Sequence, residues 1–513
     1  MPSAKADRVT RAGAGFDPMP SRQPSAAVEV RVAPAVPTGA TALGIPVFAD
    51  GPVPDRQAFD RATLDQSGFT AAVGQTLVLP QVEGPTVIEV GLGSHATVGT
   101  AEVRDAAAAF ARAASRHGDL AFDVSGLGGV GLDPADLGQA IVEGVLLARY
   151  RYRAFTDKAT EAHLASLTLV TGSRATRALA TGARRGEITA RAVTTARDLC
   201  NTPGTHLTAR RYGKVAKTIG AETGLEVEVF DEQQLADMGC GGLLGVNAGS
   251  AEPARMIKLT YTPDVKRPSG HVGLVGKGIM YDAGGISLKP SDAMHAAMKL
   301  DMSGSAAILG AMSTLRDLGC RTAVTGWLMC TDNMPSGTAT RLGDVLTIRG
   351  GKTVEVVNAD AEGRLVMADA LVLAEEAGVD AVVTVATLTG AAMRTFGTAG
   401  AAMLANSRDI AAQLTAAGEA TDEPVFELPL IAKYRAQIDS PIADIKNLGG
   451  ENAGTITAAL FLEFFAGRIP FGHLDICGPM MTDRDDSWRS TGANAFGTRL
   501  LTDFALDFRR PTA

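Results

Sequence analysis

The sequence predicts an α/β protein with a smaller N-terminal α/β domain and a larger second one, its central sheet mostly parallel or mixed and covered by helices. Three observations lead there. The chain has 513 residues, too many for one ordinary core. From Val28 to Val170 short apolar strands alternate with helical patterns, and the alternation resumes after about residue 200. Several later strands are continuous apolar runs, as in a sheet buried on both faces.

Residues 1–26 are rich in Pro, Gly, Ser and Arg and are expected to be a disordered tail. Residues 27–180 form the first domain. There, Ala101 to Ser115 reads as a helix and Leu120 to Val124 as a strand. Asp133-Pro134 is an N-cap followed by proline at the first helical position, opening a helix to about Tyr152. Leu164 to Val170 is a further strand. Gly126-Leu127-Gly128-Gly129-Val130-Gly131 has the GxGxxG spacing, but the acid expected about twenty residues later is replaced by Arg149-Tyr150-Arg151-Tyr152-Arg153, so it reads as a turn. Arg174 to Leu199 is one helical pattern, ended by Cys200-Asn201-Thr202-Pro203-Gly204, and it links to the second domain, residues 181–513.

In the second domain strands are expected at Leu225–Phe230, Ala254–Tyr261, Val272–Val275, Thr322–Met329, Val345–Val357 and Ala381–Ala386. Helices are expected at His206–Thr223, Met294–Leu318, Leu365–Ala377 and Thr455–Gly467. The formal charge of −8 argues against broad nucleic-acid binding. No apolar run approaches membrane-spanning length, and the first twenty residues lack the apolar centre of a signal peptide. Cys200, Cys240, Cys320, Cys330 and Cys477 are scattered without CxxC spacing, which suits free thiols in a reducing cytoplasm.

The chemistry centres on Asn358-Ala359-Asp360-Ala361-Glu362-Gly363-Arg364-Leu365, on the connection between a strand and a helix. Two carboxylates at i and i+2 in extended backbone point to one side and repel unless a cation or proton intervenes. A second constellation, Gly276 to Pro290, reads as a glycine-rich loop at a strand end carrying Lys277, Asp282 and Lys289; it lacks the pattern of a phosphate-binding loop. Asp301 follows in Met298-Lys299-Leu300-Asp301-Met302. Asp282, Asp301, Asp360 and Glu362, from three segments, could together hold two divalent ions about 3.5–4 Å apart and activate a bridging water. Lys289 and Arg364 could stabilise an oxyanion or bind an anionic group. The seven histidines are dispersed without ligand spacing, so the donors are mostly oxygen, and Mn, Mg, Zn and Co all fit. Taken singly, Asp301 and Lys277 read as solvated surface charges, and His473 as a structural histidine beside a strand.

These motifs, with Asn201-Thr202-Pro203, Asn333-Met334-Pro335-Ser336-Gly337, Ala386-Thr387-Leu388-Thr389-Gly390 and His473-Leu474-Asp475-Ile476, closely resemble the leucyl (cytosol) aminopeptidase family of two-metal exopeptidases over about residues 195–505. The resemblance implies that residues 181–513 are the catalytic domain and that two divalent ions are bound per subunit, with Mn or Zn ahead of the other metals. It implies that Lys277, Asp282, Asp301 and Glu362 hold one ion, and that Asp282, Asp360 and Glu362 hold the other. It makes Lys289 the electrophile, and Arg364 the holder of a bicarbonate-like anion that takes a proton from water. Met298, Thr387, Leu388, Gly390, Cys477 and Met480 align with the pocket for a leucine-like first residue. It also implies peptide substrates with a free N-terminus, a homohexamer and a cytoplasmic location. A DNA-binding regulatory role and an inactive structural homologue are the alternatives. The chain departs from the family pattern at Ala359, where threonine is usual, at Leu342, where proline is usual, and at Cys477, where alanine is common. It also looks one residue longer between Lys289 and Asp301 than some relatives.

Overall fold

A computed structural model describes residues 16–50, 59–156, 158, 160–172 and 175–512. These divide into two compact units. The smaller is Met19–Thr195 with Thr482–Gly492; the larger is Ala196–Met481 with residues 16–18 and 493–512. Both are α/β. Residues 1–15 of the expected disordered tail lie outside the described residues, and the rest of that tail contains two short 3-10 turns, Pro20–Arg22 and Pro24–Ala26.

The smaller unit is a six-stranded sheet in the order Glu29–Ala33, Ser166–Val170, Asp119–Asp123, Ala42–Val47, Thr86–Gly91, Thr76–Leu79. All neighbours are parallel except the last pair. Helices Thr100–Ala113 and Pro134–Ala148 pack closely at Gly144, where a side chain would meet the carbonyl of Arg104 at 2.3 Å. The second helix ends at Ala148, short of the expected Tyr152. Asp133 caps its start, accepting the Ala135 N–H at 2.7 Å. The glycine run 126–131 forms a 3-10 turn, Ser125–Leu127, and ends at Gly131 (φ +74°), before that helix begins. A cavity of about 630 Å³ lies beside Arg149, Arg151, Arg153, Arg184 and Arg191. Three of these arginines are engaged by the protein. Arg149 donates to the carbonyls of Ala114, Ser115, His117 and Ala162, while Arg151 and Arg153 pair with Glu161 at 3.0 and 3.3 Å.

The larger unit is built on eight strands in the order Val425–Glu427, Ala401–Ala405, Phe471–Asp475, Ala381–Ala386, His271–Asp282, Ala323–Asn333, Arg255–Tyr261, Glu226–Phe230. Four central strands, from Phe471–Asp475 to Ala323–Asn333, run parallel, and antiparallel pairings flank them. Trp327, Val366, Leu371, Phe461 and Phe465 lie in the main core, where helix Gly363–Glu376 packs on Gly454–Ala466. Among the described residues no helix is long and apolar enough to cross a membrane. The five cysteines are free thiols, all buried except half-buried Cys477.

Three expectations are corrected. The expected loop after Val275 is a strand as far as Asp282. Its glycines serve close packing: a Cβ at Gly276 would lie 2.8 Å from the Ser305 backbone, and one at Gly278 would lie 2.8 Å from the Met329 carbonyl. The strand expected over Val345–Val357 is an antiparallel hairpin, Val345–Thr347 and Thr353–Glu355. It reverses at Gly350 and Gly351, both left-handed (φ +83° and +92°). The helix expected over Met294–Leu318 is broken into Ala293–Ala296, a 3-10 turn Met298–Leu300, and Ser303–Met312, which leaves Asp301 at the break.

Asp369 ties this architecture together behind the site. From helix Gly363–Glu376 it accepts the Leu243 N–H at 2.8 Å and the Arg349 N–H at 2.9 Å, joining helix Gly241–Asn247 and the hairpin loop. Burial outweighs these donors and pushes its carboxyl up from 3.8 to about 7. The folded chain therefore holds a proton here that the unfolded chain has released between about pH 4 and 7. Its contribution to stability falls as pH rises through that window, by at most about 1.4 kcal/mol per pH unit. Urea unfolding of the chelator-treated protein from pH 5 to 8 should show a smaller pH-dependent loss for Asp369→Asn than for the wild type; equal slopes would contradict this reading.

Candidate metal centre

The parallel strands end on one edge of the larger sheet, where open α/β sheets place their ligands. Lys277 and Asp282 come from His271–Asp282, and Asn333 is paired with Asp282 at the end of the neighbouring strand. Thr387 follows the strand Ala381–Ala386. Asp360 and Glu362 lie on the loop that enters helix Gly363–Glu376, and Asp301 on the broken helix. Lys277 is 3% and Asp301 4% exposed, so neither is the surface charge that each resembles when read alone.

The side chains form one ionic cluster. Lys277 Nζ lies 2.8 Å from Asp301 Oδ2 and 2.7 Å from Glu362 Oε1, and donates to the Thr387 carbonyl at 3.0 Å. Lys289 Nζ lies 2.9 Å from Asp282 Oδ2 and 2.5 Å from Asp360 Oδ1. Four carboxylates thus face two ammonium groups. Burial first, then repulsion from Asp282, pushes the Glu362 carboxyl up; burial does the same to Asp301 and Asp360. Burial also works against the charge on Lys277, but Asp301, Glu362 and Asp282 overcome it and hold the ammonium well above its ordinary range. The cluster is short of positive charge.

Two further observations fit divalent cations. Ligand atoms of Asp282, Asp360 and Glu362 lie within 4.8 Å of one another. Glu362 Oε2 is buried without a hydrogen-bond partner, a costly state that a cation would relieve. Beside them Arg364, 3% exposed, donates from Nη1 to the Asn447 carbonyl at 2.9 Å, while its buried Nε has no partner. Burial pulls its pKa down to about 10 against the attraction of Glu362 and Asp475. An unpartnered guanidinium donor in such a place suits a small anion.

The pocket residues fall in different surroundings. Thr387 donates from Oγ1 to Asp301 Oδ1 at 2.7 Å, so it orients a cluster carboxylate. Leu388 packs on the main core, and Gly390 is exposed at the first position of helix Gly390–Phe396. Met298 is buried in the 3-10 turn before Asp301. Half-buried Cys477 feels the charges of Asp301, Lys277 and Lys289, with its thiol pushed up to about 12 chiefly by burial. Met480 is 2% exposed, and its carbonyl accepts the Asn494 N–H. Ala359 contributes backbone alone, its N–H to Ser287 Oγ and its carbonyl to Asn333 Nδ2, both at 3.0 Å. His473 is wholly buried and held neutral, its pKa lowered to about 3 by burial.

Sequence reasoning did not single out three supporting side chains. Asn333 Nδ2 donates to Asp282 Oδ1 at 2.9 Å. Asp475, wholly buried, accepts from the N–H groups of Leu388, Thr389 and Cys477 and from the Thr389 hydroxyl, fixing the loop that presents Thr387. Asn447 is the third. Asn333 and Asp475 stood inside quoted motifs, whereas Asn447 carried no local signal.

A profile of the cytosol aminopeptidase family's catalytic domain matches residues 194–502, and one of its N-terminal domain matches residues 61–159. A probable cytosol aminopeptidase of Streptomyces coelicolor is 39% identical over 484 residues, covering 88% of this chain and 92% of the relative. A cytosol aminopeptidase of Pseudomonas aeruginosa is 38% identical over 460 residues, covering 87% and 90%. Among solved structures, the bottromycin maturation enzyme BotP in complex with Mn superposes with a TM-score of 0.82 at 36% identity, covering 91% of this chain and 99% of that one.

Replacing Lys277 by methionine leaves Asp301 and Glu362 buried without their counter-charge. In chelator at pH 8 the variant should lose about 3–5 kcal/mol of stability. The loss should shrink toward pH 5, because carboxyls raised in the folded state gain stability as they take up protons. Urea unfolding at both pH values measures this, and a loss under about 1 kcal/mol at pH 8 would contradict the pairing.

Proposed function

The chain belongs to the cytosol aminopeptidase family, and from that premise we propose that it is a metal-dependent aminopeptidase that releases leucine-like N-terminal residues from peptides. The observation that carries this reading is the cluster of Lys277, Asp282, Asp301 and Glu362, all buried, with Asp360 at its exposed edge, which holds more carboxylates than cations.

Residues 181–513 would do the catalytic work. Lys277, Asp282, Asp301 and Glu362 would hold one divalent ion, and Asp282, Asp360 and Glu362 a second, with Mn or Zn the leading candidates. Bound there, the ions would supply Lewis acidity, lowering the pKa of a water and polarising the scissile carbonyl. As a ligand Lys277 would have to be a neutral amine, so it would give up the proton that pairs it with Asp301 and Glu362. Lys289 would leave its two carboxylates to donate to the oxyanion that develops on the substrate carbonyl. Arg364 would hold a bicarbonate-like anion through its unpartnered Nε, placing a base beside the water. Met298, Thr387, Leu388, Gly390, Cys477 and Met480 would line the pocket for the first side chain. The free α-amine of the substrate would face Asp301 and Glu362, restricting cleavage to the N-terminus. The enzyme would work in the cytosol as a homohexamer.

Hydrolysis of Leu-p-nitroanilide should vanish after chelation and return when Mn²⁺ or Zn²⁺ is added back. N-acetyl-Leu-p-nitroanilide should remain uncut. Lys289→Ala should lower kcat by about 10²–10³-fold, the usual cost of one oxyanion donor. A folded, metal-loaded protein that leaves Leu-p-nitroanilide and Leu dipeptides intact would overturn the proposal, as would equal cleavage of the acetylated substrate.

A further inference from the structure

Asn447 lies more than eighty residues from the carboxylates it serves. It follows the two-residue strand Ile445–Lys446, which pairs in parallel with Val354 and Glu355. Its side chain is wholly buried. Its backbone N–H donates to the Glu355 carbonyl at 3.0 Å. Its Oδ1 accepts the N–H groups of Val357 and Asn358, at 2.9 and 3.3 Å. Its Nδ2 donates to the carbonyls of Asn358 and Ala361, at 2.7 and 3.3 Å. Its own carbonyl accepts from Arg364 Nη1 at 2.9 Å. One residue thus grips the loop before Asp360, the loop between Asp360 and Glu362, and the guanidinium beyond them.

We infer that Asn447 is the positioning residue that sets Asp360 and Glu362 against each other and against Arg364, so that the loop is shaped for divalent cations before they bind. Mutual repulsion would splay carboxylates carried on a free loop. The other side of this loop is held by Ser287, which accepts the Ala359 N–H, and by Asn333, which donates to the Ala359 carbonyl. Asn447 closes the opposite side. Two N–H groups on one flank and two carbonyls on the other demand a side chain with both an acceptor and donors, and they leave one orientation of the amide. An aspartate has the same shape but no donors. It would face the carbonyls of Asn358 and Ala361 with an oxygen and add a charge to a cluster already rich in carboxylates. Asn447 acts through the loop, to whose backbone all four of its side-chain hydrogen bonds run.

This role rests on the aminopeptidase reading above. The test compares wild type, Asn447→Asp and Val354→Ala; the last removes buried packing from the same strand pair and none of these hydrogen bonds. Circular dichroism and cooperative unfolding establish that each folds. Mn²⁺ affinity is measured by calorimetry, kcat and KM on Leu-p-nitroanilide, and amide exchange of Val357 and Asn358 in chelator. Asn447→Asp should lose on the order of 10- to 100-fold in Mn²⁺ affinity and in kcat, the range for groups that orient metal ligands. KM should change little, and the two amides should exchange faster. Val354→Ala should keep its Mn²⁺ affinity and amide protection. An Asn447→Asp protein that binds Mn²⁺ as the wild type does, or a Val354→Ala protein that loses as much, overturns the role alone. A wild type that binds neither Mn²⁺ nor Zn²⁺ overturns the aminopeptidase reading and this role with it.

Discussion

Four carboxylates, Asp282, Asp301, Asp360 and Glu362, face only two ammonium groups, those of Lys277 and Lys289, and all but Asp360 and Lys289 are buried. Such crowding is unfavourable for a folded chain unless the geometry is enforced from outside the cluster. Much of the larger unit does this enforcing. Parallel strands deliver Lys277, Asp282 and Asn333 to one edge. The carboxylate of Asp475 gathers backbone donors around the loop that carries Thr387. The lysines neutralise part of the charge at the positions where stronger cations would act.

The same enforcement explains features that look unrelated to chemistry. Gly276 and Gly304 let helix Ser303–Met312 lie directly on the central strands, since a Cβ at Gly304 would meet the Val385 carbonyl at 2.0 Å. That contact holds the start of the helix in place just after Asp301. Gly363 has a Cβ position only 2.6 Å from the Lys277 side chain, so the first turn of helix Gly363–Glu376 can approach the cluster. Asp369, two turns further along the helix, anchors it to Gly241–Asn247. Backbone proximity, permitted by glycine, is the means by which distant segments reach one site.

Local patterning made much of this legible in the sequence. The α/β class followed from apolar runs and their alternation, the helix after Asp133-Pro134 from its cap, and the strand Ala381–Ala386 from its β-branched run. Failures arose where tertiary packing used residues that ordinarily punctuate a chain. Gly276 and Gly278 imitate a loop but sit inside a strand because Ser305 and Met329 press on them. The expected helix over Met294–Leu318 has no proline at its break; the chain turns there at Asp301, which bonds to Thr387 and Lys277. The paired acids on the 358–365 stretch were readable from spacing and charge. The burial of Lys277 was not, because a lysine between glycines has no local mark of its partners. Asn447 was invisible for the same reason: its hydrogen bonds reach back to residues 355–364, and nothing beside it in the chain records them.

The central claim is that this cluster is a site for divalent cations whose places the lysines hold. Crystals soaked in Mn²⁺ and measured for anomalous scattering test it most directly. The account predicts two anomalous peaks, both within bonding distance of Asp282 and Glu362, with Lys289 Nζ withdrawn from Asp282 and Asp360. Lysine–carboxylate pairs that persist at saturating Mn²⁺, with no peak among these residues, would contradict it.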